Sequence, residues 1–229
     1  MKTLCVLQHT EAEYLGLMED HLEGRNIRFQ YRRPFTPGAK VPASAEGYDG
    51  LVVLGAGPQG IVSGPLVPSL APELRLTGVF LGKGLPVIGI GIGACILAVA
   101  AGGGAEEALL RFSVETARRV PPDALAGHLP EEFPMAVYMR DRPVPPADAE
   151  VLAVDAAARP LVFQIGDNSL GFLGHPGVKT AMIEDLIMEF DETPEGTAET
   201  LGKLRAAQGE IAAALAEIMI GLVALTRWM

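Results

Sequence analysis

Aromatic residues are scarce, 6% of 229 positions, so the interior has to be filled by aliphatic side chains. Cysteine occurs twice, Cys5 and Cys95, each inside an apolar run. Two such thiols are too few for a disulfide framework and read as reduced core residues of a cytoplasmic protein. Basic residues are outnumbered, 18 Lys and Arg against 28 Asp and Glu, for a formal charge of -10. That balance argues against a nucleic acid, whose backbone is bound by clustered cations, and against an anionic membrane surface. A long uninterrupted apolar run is also missing. The most apolar segment, "EIAAALAEIMIGLVALTRWM" at 210–229, is broken by Glu217 and falls short of the ~18 to 20 residues of a bilayer span; it reads as a helix packed on protein. The opening "MKTLCVLQHTEAEY" has too short an apolar core for a signal peptide and reads as a first strand. There is no internal repeat and no flexible linker.

What is present is 49% hydrophobic and 20% charged residues, the balance of a folded domain with a large core. After the first strand, Tyr14, Leu15, Met18 and Leu22 stand at helical spacing up to Gly24, and "NIRFQYR" resumes alternation. "YDGLVVLGAGPQG" is a strand of nearly continuous aliphatics, "VPSLAPELRLTGVFLGKG" a helix, and "LPVIGI" a further buried strand. Continuous apolarity is the mark of parallel strands covered on both faces. These units predict an α/β fold, a flavodoxin-like three-layer sandwich with a mainly parallel central sheet. The segment "AEEALLRFSVETARRV" fits strands, or a strand after a short helix. Beyond it the Pro-punctuated runs "MAVYM", "EVLAV", "PLVFQIG" and "LGFLGH" predict antiparallel strands added to the same sheet. The chain is expected to be one domain, 1–229, with an α/β core over 1–180 and C-terminal helices over 181–229. The last helix is expected to start at Thr193 and Pro194. Its stripe of Ile211, Leu215, Ile218, Leu222 and Leu225 fits packing on the parent domain, with a helical dimer seam as the alternative.

The stretch "LPVIGIGIGACILAVAAGGG", 85–104, raises the functional question. Strand, glycine turn and helix suit either a phosphate cradle or a nucleophile elbow. Gly89, Gly91 and Ala94 fit the dinucleotide spacing, but no strand ending in an acid follows about 20 residues later. Nucleotide binding at Gly89–Ala94 remains as an alternative.

Taken with "YDGLVVLGAGP" and "LGFLGHPG", this stretch resembles the class I glutamine amidotransferases of stand-alone type, and the resemblance runs through most of the chain. That family carries a Gly-Gly-Pro type turn, an elbow of the form "PVxGxCxGxQxLAxxxGG" and a late "GxQxHPE". The resemblance implies a triad of Cys, His and Glu that attacks the glutamine amide, with backbone N–H groups stabilising the oxyanion. Carried over by motif, the nucleophile position is Gly91, flanked by Gly89 and Gly93. The base is His175, followed by Pro176, and the acid position is Gly177. Two triad side chains are thus replaced by glycine. The oxyanion turn reads Gly55, Ala56, Gly57, Pro58, one residue longer than the family's, and Cys95 stands where the family has Gln.

The expectation is a catalytically degenerate amidotransferase-like protein that binds, assists or regulates, without ordinary glutaminase activity. Its ligand crevice would be lined by Gly55, Ala56, Gly57, Pro58, Ile92 and Gly93, and would either take a small molecule or be filled. Its partner would be a synthetase-like or other protein, or a second copy docked through the C-terminal helix. No cofactor and no metal are called for. The alternative enzyme would use Cys95 as a relocated nucleophile with His175; Cys95 lies one helical turn past Gly91, about 6 Å along the axis. His9 closes the first strand and suits a turn role or the crevice, whereas His21 and His128 carry no function. The acidic run Glu184, Asp185, Glu189, Asp191, Glu192 and Glu195 reads as a solvated face.

Overall fold

A computed structural model describes all 229 residues. In chain order the elements are β1 (Thr3–Leu7), α1 (Met18–Glu23), β2 (Arg28–Arg32), β3 (Gly50–Val53), α2 (Leu70–Gly82), β4 (Val87–Ile90) and α3 (Ile92–Ala100). They continue with β5 (Gly104–Glu106), β6 (Arg111–Arg119), β7 (Glu132–Met139), β8 (Arg142–Val144), β9 (Glu150–Val154), β10 (Pro160–Ile165) and β11 (Ser169–Phe172). Two helices close the chain, α4 (Thr180–Glu189) and α5 (Thr197–Thr226).

Nine strands form one sheet in the order β2-β1-β3-β4-β11-β10-β9-β6-β7. The first five run parallel, and the remainder pair antiparallel from β11 outward. β1, β3 and β4 are the nearly continuous apolar runs, and nearly all residues of these strands and of β11 are buried, as strands covered from both sides require. The chain moves one way along the sheet from β1 to β2 and the other way from β3 to β4. With right-handed crossovers, that reversal puts α1 and α2 on opposite faces. The contacts agree: α2 packs on α3, whereas α1 meets α5. The reversal also makes a switch point outside the carboxyl ends of β1 and β3, the place where open α/β sheets present their sites.

The α/β architecture with its parallel centre and C-terminal helices is the expected one, and four details differ. The first helix is one and a half turns long, from Met18, because residues 8–17 are taken up by a loop at the carboxyl edge of the sheet; Tyr14 and Leu15 belong to that loop. β11 is parallel to β4 and antiparallel only to β10, so it joins the two halves of the sheet. The unsettled segment 105–119 supplies β5 and β6, and β5 pairs with the short β8, which the sequence pattern did not reveal, in a separate two-stranded ribbon. The last helix starts at Thr197 rather than at Thr193 and Pro194, because Gly196 turns the chain left-handed just before it.

By length and composition α5 could cross a membrane. In this fold it is a packing element: Leu204, Ile211, Leu215, Ile218, Met219 and Leu222 are buried against the rest of the chain. The apolar stripe is therefore occupied within its own chain. A seam between two copies through α5 would have to use its outer face instead. Trp228, just past the helix, lies over Gly50 at the start of β3; a β-carbon on Gly50 would stand 2.7 Å from the indole ring.

This packing gives a direct expectation. Leu215→Ala should lower the unfolding free energy by about 3 kcal/mol, as for other fully buried leucines. Glu217→Ala, two residues along on the exposed side, should change it by no more than about 0.5 kcal/mol. Urea denaturation of the two variants checks both, and equal effects would show that the stripe is not packed as described.

Candidate functional site

The site lies at the switch point, where three turns meet. The first is the elbow. β4 runs into Gly91, which adopts φ 59°, ψ -123°, and α3 starts at the next residue. An L-residue is strained in that backbone region, whereas glycine is not. The Gly91 N–H donates to the Phe172 carbonyl at 2.9 Å, tying the elbow to the end of β11. Gly89 and Gly93 have packing reasons of their own: a β-carbon on Gly89 would run into the Gly93 backbone, and one on Gly93 into the Val53 carbonyl.

The second turn follows β3. His9, at the end of β1, sets it: Nδ1 donates to the Gly55 carbonyl at 2.9 Å and Nε2 to a Glu73 carboxylate oxygen at 2.8 Å. Both partners only accept, so both ring nitrogens carry protons. Burial by itself would lower the His9 pKa, but the charge and hydrogen bond of Glu73, with the Gly55 carbonyl, hold it above its ordinary value. Glu73 is fully buried, and its other oxygen accepts from the Ser69 hydroxyl. His9 thus has the turn role.

The loop from Gln8 to Leu17 brings in the third group, Glu13. The Thr10 hydroxyl accepts the Glu13 N–H at 3.0 Å, and the Gln8 side-chain amide donates to the Thr10 carbonyl at 2.9 Å. The loop so fixed turns the Glu13 carboxylate inward, where it accepts the N–H of Gly57. The carboxylate fills the space where a side chain on Gly55 would stand. Burial pushes the Glu13 pKa up to about 7, against the Gly57 N–H and the His9 charge, which pull it down.

His175 stands where the motif has its histidine. Its Nε2 donates to the Tyr14 carbonyl at 2.8 Å, and its Nδ1 accepts the Gly177 N–H at 3.1 Å. Each ring nitrogen is engaged, and burial pushes the pKa down to about 4, so the ring is neutral near pH 7. The acid position, Gly177, is packed against the loop leading into α1. A β-carbon there would lie 2.9 Å from Met18 Cγ and 3.0 Å from the Met18 nitrogen. The Leu17 N–H donates to the Gly177 carbonyl at 2.8 Å. A glutamate in this place would displace the 14–18 segment.

Between these turns lies a cavity of about 10 Å³, lined chiefly by Glu13, Gly91, Tyr138, His175, Met182 and Ile183. It holds at most about one water, and no phosphate fits beside the glycine turn. The Tyr138 hydroxyl is buried without a partner; burial, with the Glu13 charge, pushes its pKa up to about 12. The structure thus brings Gly91 and His175 to one cavity. Gly55, Ala56, Gly57, Pro58, Ile92 and Gly93 do not line this cavity; the Glu13 carboxylate lies against Gly55, and Leu186 and, just past α4, Phe190 lie against Gly57. Arg140 ties the Pro58 carbonyl to Glu192. Cys95 is fully buried in α3 and does not reach the cavity. Burial pushes its pKa up, and neither nitrogen of His175 is free to receive its proton, so the Cys95 and His175 pairing has no geometric basis. No three His, Cys, Asp or Glu side chains converge to hold a metal ion. Glu13 and Tyr138 were missed in the sequence. The available signal for Glu13 was an acid just past the first parallel strand, at the carboxyl edge.

Two opposed titrations follow. Glu13 binds its proton more tightly folded than unfolded, so its contribution is full below about 4.5 and lost as pH rises through about 7. His175 takes a proton less readily folded than unfolded, so its contribution is full above 6.5 and lost as pH falls toward about 4. Between these limits the two offset each other. Glu13→Gln should therefore make stability fall on acidification from pH 6.5 to 4.5, by on the order of 1 kcal/mol per pH unit relative to the native chain. His175→Asn should show the opposite slope. Urea titrations at pH 4.5, 5.5 and 6.5 measure this, and variant curves parallel to the native one would refute the assignment.

No protein-family model and no curated protein sequence matches this chain. Solved structures do. A glutamine amidotransferase from Thermotoga maritima superposes with a TM-score of 0.81 at 21% identity, over 97% of this chain and 98% of that one. A glutamine amido transferase from Methylobacillus flagellatus gives 0.82 at 20% identity, over 98% and 95%. Likeness that extends over almost the whole of each chain at a fifth identity is a shared fold. With the elbow, the turn after β3 and the late His-Pro in the order that the motif requires, the fold of this chain is that of the class I glutamine amidotransferase-like proteins.

Proposed function

We propose that the chain is a catalytically degenerate glutamine amidotransferase-like protein that acts by binding, as an accessory or regulatory component, and does not release ammonia from glutamine. One observation carries this reading. The elbow presents Gly91 where the motif has its thiol, and the histidine beside it has both nitrogens engaged and is neutral. Acyl transfer from an amide needs a nucleophile and a base within hydrogen-bond reach of it. Here no side chain at the elbow can attack and no ring nitrogen is free to take a proton. Other features support the same reading. The N–H of Gly57, on the turn that matches the motif's oxyanion turn, is held by the Glu13 carboxylate, and the remaining cavity is far too small for glutamine. The protein then works through its surface, against a synthetase-like or other protein, or a second copy.

Purified protein is expected to release no ammonia from glutamine or from related amides above the uncatalysed rate, and to show a complex in native mass measurements after mild co-purification. Ammonia release that Cys95→Ser abolishes would overturn the reading in favour of a relocated thiol.

The two glycines of the motif should differ in what they tolerate. A side chain at Gly91 has room, the nearest atom being Gly55 Cα at 3.5 Å, so Gly91→Cys should fold at a strain cost of about 1–3 kcal/mol. Gly177→Glu meets Met18 and should cost more than that. The double variant is expected to stay inactive, because Tyr138, Met182 and Ile183 still leave a cavity far too small for glutamine. Thermal melting orders the variants; a Gly177→Glu protein as stable as Gly91→Cys would contradict the described packing.

A further inference from the structure

A second cavity, about 110 Å³, lies on the other side of Leu173 from the elbow, between the β5–β8 ribbon and the β6, β9 and β10 strands. Three arginines line it: Arg111 at the start of β6, Arg142 at the start of β8 and Arg159 just before β10. Such a convergence is costly, since like charges repel; Arg159 stays exposed, whereas Arg111 and Arg142 are half-buried.

The three are not equally compensated. Arg159 is paired: its Nε lies 2.7 Å and its NH2 2.6 Å from one Asp155 oxygen, while the other oxygen accepts the N–H groups of Ala157 and Arg159. Arg142 stands 3.9 Å from Glu106, beyond hydrogen-bond distance, with both side chains partly in solvent. Arg111 has only charged neighbours at a distance, Arg142 and Arg159 opposing it and Glu115 and Asp155 favouring it, and no hydrogen-bond acceptor. Burial and the Arg142 charge push its pKa down. A guanidinium carries five donors in a planar fork suited to oxyanions, and in this chain, which is acidic overall, the fork of Arg111 meets none. The acids that line the cavity, Asp155 and Glu106, face Arg159 and Arg142.

We propose that Arg111, Arg142 and Arg159 form a binding site for a small oxyanion, a phosphate, either free or as the head of a phosphate monoester. Against the two acids Glu106 and Asp155 the three guanidiniums leave a net positive charge in the cavity, and three guanidiniums approaching from different segments suit a tetrahedral group better than one planar carboxylate. The cavity is ten times the volume left at the elbow and accepts several water-sized atoms. The site is independent of the elbow chemistry, so its failure and that of the proposed function would be told apart.

The test uses the full chain, with melting temperature and titration calorimetry read at matched ionic strength. Inorganic phosphate and glycerol phosphate are the two probes, and chloride is the control. Phosphate is expected to raise the melting temperature where chloride does not. Arg111→Gln is expected to weaken binding at least tenfold while leaving the unliganded melting temperature unchanged or higher, because a half-buried charge without a hydrogen-bonded acid has been removed. Arg142→Gln, on a more exposed residue, should weaken binding in the same direction and serves if Arg111→Gln does not fold. Preference for inorganic phosphate assigns the free ion, and preference for glycerol phosphate assigns the monoester. No stabilisation by either at 10 mM (on the order of a weak-site limit), or binding undiminished in the arginine variants, would overturn the proposal.

Discussion

The buried charge pair of His9 and Glu73 is the interaction on which the carboxyl edge of the sheet depends. Two ions are taken out of water here, which is tolerable only because each is hydrogen-bonded on every side that faces protein. Glu73 accepts from His9 and Ser69, and His9 donates to Glu73 and to the Gly55 carbonyl. The pair therefore fixes the turn after β3 to the end of β1 and to the first turn of α2. That turn then presents the Gly57 N–H to Glu13, and His9 supplies part of the field that keeps a carboxylate acceptable in the interior.

Around this frame the site is closed rather than merely short of side chains. The 14–18 segment packs against Gly177, and its Tyr14 carbonyl holds His175. The histidine is here a packing and hydrogen-bonding residue of the loop. Glu13, Tyr138 with its unpartnered hydroxyl, and the α4 side chains Met182 and Ile183 line the small cavity that remains.

Legibility in the sequence followed the range of the interactions. The parallel strands were readable because β1, β3 and β4 are each a nearly continuous apolar run, and the elbow because its glycines sit at fixed local offsets. Gly91, His175 and Gly177 could be named through the resemblance to the amidotransferase motif. The short helix α1 was overread because Tyr14 and Leu15 are apolar at helical spacing, yet face the core from a loop that the Thr10 hydroxyl and the Gly177 carbonyl organise. The place of β11 depended on pairing with β4, far away in sequence. Glu13 looked like one acid among several, since nothing local says that Gly57, 44 residues later, will meet it.

The sequence by itself determined the α/β class, the parallel centre, the elbow and the absence of a thiol and a carboxylate from the motif. These are properties of residue type and short spacing, which a chain carries before it folds. Tertiary structure alone decided that the cavity is shut, that His175 is neutral and engaged, that Cys95 is out of reach, that the α5 stripe is satisfied within its own chain, and that Arg111, Arg142 and Arg159 meet. Each of these depends on which distant segments are packed together. Burial, pKa and hydrogen-bond partnership are set by such neighbours rather than by the residue itself.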